Sequence, residues 1–312
     1  IKYHENYFMF TSISSNKNFI LNLLLAVIPA SFIAGNTIIN FNIILFIILG
    51  LIFYKFSIFK IRYFFLDKLI FLFFLFIIFT GIYNDINLSI NNQEFSVWKG
   101  EFSTTIKSFA FFRFFLLYLV IRFLYENDKI DIKLFFLSST FFCLFVCLDL
   151  FYQLIFGEDI FGFKSIGRKL SGPFGDELIA GSFIQRFSLF SFFVIPLFLK
   201  KLKPIHIVAI FLFLFTIFFS ALVLSGNRMP LIIFILSILL LFLFQKETRK
   251  FFIPFILLFS LIFTFLYKTN TKVNLNFQNF KGQVVNIVKF INADEIDLNQ
   301  APNYIKEFST FY

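Results

Sequence analysis

The chain has 312 residues, 59% of them hydrophobic, a formal net charge of +10 and a mean hydropathy of +0.86. Soluble domains are roughly 45–50% apolar, so too few polar residues are present to cover a soluble fold of this length. Two cysteines, Cys143 and Cys147, and two histidines, His4 and His206, exclude a disulfide scaffold and a His-rich metal site. No Gly-rich phosphate loop precedes a helix, no Asp-rich metal motif stands out, and no cofactor is implied.

Lipid is the remaining solvent, and there every backbone polar group must be paired within the chain. Apolar runs long enough to span a bilayer as helix recur along the sequence. In chain order they predict spans over 19–34, 38–56, 68–83, 105–124, 134–155, 178–199, 205–224, 230–244 and 251–267. The expected fold is an all-α, polytopic transmembrane bundle of about nine helices over 1–267, followed by a polar tail, 268–312. No internal repeat is evident. Cys143 and Cys147 lie one helical turn apart in an apolar run and read as core. Phenylalanine, at 59 residues, is accompanied by abundant Lys, Asn and Ile. That skew follows AT-rich codons, so the Phe stripes carry no functional weight.

Charge orients the bundle. With the N-terminus in the cytoplasm, the inner segments hold fifteen basic residues. The short outer loops hold six: Lys99, Lys107, Lys164, Arg168, Lys169 and Arg228. This bias obeys the positive-inside rule, so the positive charge is mainly topological and needs no nucleic-acid partner. The loops 84–104 and 156–177, the turn Ser225-Gly226-Asn227-Arg228 and the tail then share the outer face.

Ionisable groups inside spans cost roughly 2.5–3.5 kcal/mol each on insertion scales, so each needs a reason. Asp149 and Gln153, four apart, share one face of the fifth span, either as the lining of a site or as a hydrogen bond between helices. Asp176 and Glu177 stand where the sixth span begins, as site residues or as complements to its dipole. Arg168 is a basic residue in a short outer loop, against the topological bias. Arg186 lies about 12 Å down the sixth span, at 1.5 Å per residue. Arg228 opens the eighth span with no carboxylate within four residues, and Arg113 sits inside the fourth. Pairing of these arginines with Asp149, Asp176 or Glu177 is the structural alternative. Arginine forks match phosphate oxygens. Three arginines on one membrane face suggest a site for a lipid-linked diphosphate, in which they offset leaving-group charge in place of a metal ion.

The stretch Asp149-xxx-Gln153-xxx-Gly157-x-Asp159-x-Phe161-Gly162, with Arg168-x-Leu170-Ser171-Gly172-Pro173-Phe174-Gly175-Asp176-Glu177-xxx-Gly181-Ser182, resembles the O-antigen ligase/polymerase family. The later Ser225-Gly226-Asn227-Arg228 does so too. The resemblance covers most of the chain by topology and about 149–230 by motif. It implies a multi-pass protein of the bacterial inner (plasma) membrane that works at the periplasmic face. Its activity would be metal-independent glycosyl transfer from an undecaprenyl-diphosphate-linked glycan to a sugar hydroxyl. The acceptor would be another lipid-linked glycan or lipid A-core, in polysaccharide polymerisation or in lipopolysaccharide ligation. On the same resemblance, Arg168 and Arg228 match the family's essential diphosphate contacts. Arg186 is a third by depth and charge, and Asp149, Gln153, Asp176 and Glu177 are supporting polar residues. The family's functional histidine would fall beyond Tyr312, since His4 and His206 lie at cytoplasmic ends. The first residue is Ile1, and the chain stops at Tyr312 in a polar segment. The expectation is a truncated, inactive chain whose catalytic residue is unidentified.

Two other classes remain open on the sequence. A transporter or flippase for a lipid-linked or anionic substrate would also want intramembrane arginines, but nearer the midplane and in repeated halves. A non-catalytic subunit of an envelope complex would have no need of Arg228.

Overall fold

The computed structural model describes residues 16–92, 103–164, 169–198, 202–244, 249, 252–271, 273–275, 277–279, 281, 282 and 285. Among them the protein is all-α. The helices are α1 (Asn16–Ile33), α2 (Asn36–Tyr54), α3 (Phe65–Asn92), α4 (Ser103–Phe111), α5 (Arg113–Glu126) and α6 (Ile132–Phe156), then α7 (Ala180–Phe198), α8 (Pro204–Ser225), α9 (Arg228–Phe244) and α10 (Phe252–Thr269). Short 3-10 turns cover Lys55–Lys60 and Gly172–Phe174.

Six helical stretches are long and apolar enough to cross a membrane: Asn36–Lys60, Phe65–Asn87, Thr104–Glu126, Ile132–Phe156, Ile205–Ser225 and Phe252–Thr269. Lys17–Ile33, Ala180–Ile195 and Arg228–Phe244 are apolar but shorter. Their outward surfaces are as greasy as their cores: Phe65 is 75% exposed and Phe244 85%. Helices that are apolar all round belong in lipid or in a large core, and here the apolar residues face outward. The chain is therefore a membrane protein with several helices able to span.

Every expected span falls on a helix, and two differ in extent. The third runs on to Asn92, through polar residues, because its far end packs against α4. The Asp85 carboxylate accepts the Thr105 amide at 2.7 Å, satisfying an otherwise unpaired donor at the start of α4. Gly81 faces Ser108 so closely that an added Cβ would lie 2.1 Å from its Oγ. Small residues permit such approach between membrane helices. The fourth span is broken at Phe112, where the amides of Phe112 and Phe115 bond to carbonyls three residues back. Such tightened turns mark a local break in a helix.

The chain forms two compact units, Ile1–Ser139 and Thr140–Tyr312, divided within α6. In the first, α1 and α2 form a hairpin through Gly35, whose φ of +114° suits glycine. Asn42 fastens the hairpin by donating to the Leu24 carbonyl (3.1 Å) and to Ser31 Oγ (3.0 Å). α5 lies against α2, with Val120 filling the space a Cβ at Gly50 would occupy. In the second unit, α7 packs on α8 and α9, and α10 on α8. Its core is aromatic: Phe183, Phe215, Phe218, Phe219 and Phe234 are fully buried, and the Phe215 ring meets Phe219, Phe234 and Phe255 at 4.6–6.1 Å.

Candidate functional site

All described parts of the candidate site lie in the second unit, at the end of α6, in the loop after it, at the start of α7 and in the α8–α9 turn. The four-residue spacing of Asp149 and Gln153 does put them together, both fully buried. What they hold is the loop. Gln153 Nε2 donates to the Phe163 carbonyl (3.1 Å) and to Ser171 Oγ (3.3 Å), while its Oε1 accepts the Gly172 amide (3.0 Å). Asp149 Oδ1 accepts the Ile160 amide at 2.8 Å. Asp159 completes the clasp: its Oδ1 accepts the amides of Phe161 (3.0 Å) and Phe163 (2.6 Å), closing a turn that Gly162 completes at φ +87°. Asp149 Oδ2 and Asp159 Oδ2 are buried with no hydrogen-bond partner among the described residues.

Gly172 is required where it stands. Its φ is +56°, and a Cβ there would meet Leu150 at 3.3 Å and Asp149 Oδ2 at 3.6 Å. Leu170, Ser171, Gly172 and Pro173 are all buried, so this glycine-proline stretch plugs back onto α6. Asp176 and Glu177 are exposed and precede Ala180, the first residue of α7, so they lie just outside its first turn.

The Ser225-Gly226-Asn227 turn is fixed to that same point. Gly226 ends α8 in the left-handed region (φ 71°), and Ser225 Oγ donates back to the Leu222 carbonyl at 2.8 Å. Asn227 Nδ2 donates to the Leu178 carbonyl at 2.9 Å. A Cβ at Gly181 would lie 2.6 Å from Ser225 Oγ and 2.9 Å from Asn227 Cβ, so only glycine lets α7 begin this close to the turn. The N-termini of α7 and α9 are thereby brought side by side. Neither helix has an acidic residue in its first turn, and α9 opens on Arg228 itself. A cation at a helix N-terminus opposes the macrodipole, and two such termini plus a guanidinium favour an anion.

Arg228 lines a cavity of about 90 Å³ whose other walls are almost wholly apolar, including Leu222, Leu231 and Ile232. The tail supplies its last wall, through Val273 and Phe277. After α10 the chain reverses at Asn270, whose Oδ1 accepts the Val273 amide (3.1 Å). The Phe277 ring then meets Phe263 at 4.7 Å, where an unbroken helix would hold them about 21 Å apart.

Arg186 is exposed on α7, about 9 Å along the helix from Ala180, and is not a lining residue of the Arg228 cavity. Arg168, His4 and the segment Tyr304–Tyr312 lie outside the described residues. Arg113 belongs to the first unit, where its Nη2 donates to Asn40 Oδ1 at 2.8 Å and its guanidinium sits 5.0 Å from the Phe114 ring. His206 stands near the start of α8, exposed, about 28 Å along the helix from Ser225.

A partly buried ionic cluster in the first unit is not among the expected polar positions. Asp67, near the start of α3, pairs with Arg122 near the end of α5, and Tyr118 also donates to it. Arg122 bonds Glu126 (2.9 Å) and the Arg62 carbonyl (2.7 Å). The signal is in the sequence: two apolar segments carry opposite charges, Asp67 near the start of α3 and Arg122 near the end of α5.

No family model, curated protein or solved structure matches the chain.

Proposed function

We propose that the protein transfers a glycan from undecaprenyl diphosphate to a sugar hydroxyl at the periplasmic face, as a metal-independent glycosyltransferase of the O-antigen ligase/polymerase type. The observation that supports this most is the pairing of the α7 and α9 N-termini around Arg228, without first-turn acids, at the mouth of an apolar cavity. That combination suits an anionic group attached to a hydrocarbon. A lipid diphosphate is such a ligand.

In this reading Arg228 and Arg168, with Arg186, bind the diphosphate in the donor and as the leaving group. The acceptor oxygen attacks the anomeric carbon from the face opposite the diphosphate. The new C–O bond forms as the bond to the phosphate oxygen breaks, with inversion. Undecaprenyl diphosphate leaves with the bonding electrons, and the hydroxyl proton passes to a base. His206 is poorly suited to be that base, since it lies at the other end of α8 from Arg228. The arginines act by differential stabilisation of charge that grows on the leaving phosphate. Asp149, Gln153 and Asp159 contribute by fixing the loop.

The reading includes nine membrane spans, α1, α2, α3, α4 with α5, and α6 to α10, with the N-terminus cytoplasmic. The transporter reading is supported less well, because the polar groups gather at helix ends. The test is made in cells that carry the gene. Arg228→Ala removes the surface-glycan ladder on a gel and Arg228→Lys restores little of it; a ladder unchanged by Arg228→Ala sinks the assignment.

A further inference from the structure

The first unit contains a second cavity that the proposed transfer does not use. It is a groove of about 680 Å³ between α3 and the α4–α5 span, within the roughly 300–1,000 Å³ of small-ligand sites. Phe71 and Leu72 of α3 form one wall, and Phe115, Leu116 and Leu119 of α5 form the other. Phe71 and Leu72 are exposed along it, so the groove opens sideways from helices long enough to cross a membrane.

One end of the groove is polar, and its charge is unequal. Asp67 lies there but is already satisfied: Oδ1 accepts Tyr118 and pairs with Arg122, and Oδ2 accepts the Phe64 amide at 2.5 Å. Lys68, the next residue, is exposed and makes no ion pair among the described residues. Lys60 and Arg62, also exposed, stand in the segment that leads into the same end of α3, and neither has a carboxylate partner among the described residues. Lys60, Arg62, Lys68 and Arg122 outnumber Asp67 and Glu126 here, so the net charge at the mouth is positive, while the body is apolar. Lys68 is three residues from the start of α3, so its ammonium sits near the level where a helix end meets phospholipid headgroups, with Leu72 one turn deeper.

We propose that this groove is a binding site for an anionic phospholipid of the surrounding bilayer, its acyl chain between α3 and α5 and its phosphate at Lys68. Basic pockets between spans recognise lipid headgroups in this way. The site is distinct from the Arg228 cavity, and it stands whether or not the chain transfers glycans.

The test uses the purified full chain in detergent, titrated with phosphatidylglycerol or with phosphatidylcholine and read by native mass spectrometry. The expected result is preferential retention of one phosphatidylglycerol. Lys68→Glu weakens that retention by about tenfold or more, whereas Lys68→Arg preserves it. Lys133→Glu, the same charge change outside the groove, leaves it unaltered. Leu72→Trp, which fills the groove, displaces the lipid while the melting temperature stays within a few degrees. A phosphatidylglycerol with a photoreactive acyl chain labels peptides containing Phe71–Leu72 or Phe115–Leu119. Equal retention of the two lipids, indifference to Lys68→Glu, or labelling confined to other helices each overturns the proposal.

Discussion

The Asn227 side chain donates to the Leu178 carbonyl at 2.9 Å, and this one bond ties the turn that presents Arg228 to the segment leading into α7. The bond spans 49 residues of sequence and, with the close approach at Gly181 and the packing of α7 on α8 and α9, sets the relation between the two helix starts. Asn227→Leu leaves the Leu178 carbonyl without this donor. The expected loss is about 1–3 kcal/mol of stability, read as a lower melting temperature, with transfer falling more steeply than abundance.

Gly181→Ala tests the same contact from the other side. The added Cβ has to displace Ser225 Oγ and Asn227, which lie within 3 Å of its position, and overpacking of this kind costs roughly 1–3 kcal/mol. Gly282→Ala, where nothing lies within 4 Å of the new atom, is the control and leaves the melting temperature unchanged.

Gln153 is expected to matter for shape rather than chemistry. Gln153→Leu keeps the volume but strips the buried Gly172 amide of its acceptor and Phe163 of a donor. The expected cost is about 1–3 kcal/mol, with increased protease cleavage between Gly157 and Gly175 as the local readout. Gln153→Glu keeps the acceptor but loses the donor to the Phe163 carbonyl and adds a buried carboxylate one turn from Asp149, so it loses at least as much.

In the Asp67–Arg122 pair the carboxylate is buried and the guanidinium half-buried, so breaking it from one side is worse than removing it whole. Arg122→Met alone leaves the Asp67 carboxylate held only by Tyr118 and the Phe64 amide and is expected to destabilise by about 1–3 kcal/mol. Adding Asp67→Asn recovers a large part of that loss, and a double-mutant cycle on the melting temperature measures the recovery. Additive single effects contradict the assignment of this pair as one unit.

Much of the fold was legible because lipid imposes a single simple rule, that apolar runs of spanning length become helix. Where a helix departs from its apolar run, the cause is local. The third helix outruns its apolar stretch because Asp85 and Gly81 give its polar end a partner in α4. The break at Phe112 has no proline or glycine to announce it. At the site, the i, i+4 spacing correctly joined Asp149 to Gln153, but spacing could not say that their partners were backbone amides of the loop. The roles of Asn227 and Gly181 depend on contacts between segments far apart in sequence, and that of Asp159 on a tight turn closed by its own side chain. The Asp67–Arg122 pair joins residues distant in sequence that lie near the start of α3 and the end of α5, a contact that neither segment announces alone.

The central claim is that Arg228 holds the diphosphate of a lipid-linked glycan during transfer. The most direct measurement is made with the purified protein, an undecaprenyl-diphosphate-linked glycan and a glycan acceptor, with a metal chelator present. Release of undecaprenyl diphosphate is followed together with growth of the acceptor. The account predicts coupled release and growth in the wild type, unaffected by the chelator. Arg228→Ala lowers both by about a hundredfold or more, the size seen when one donor to a developing anion is removed. Wild-type rates in Arg228→Ala, or transfer abolished by the chelator, would contradict it.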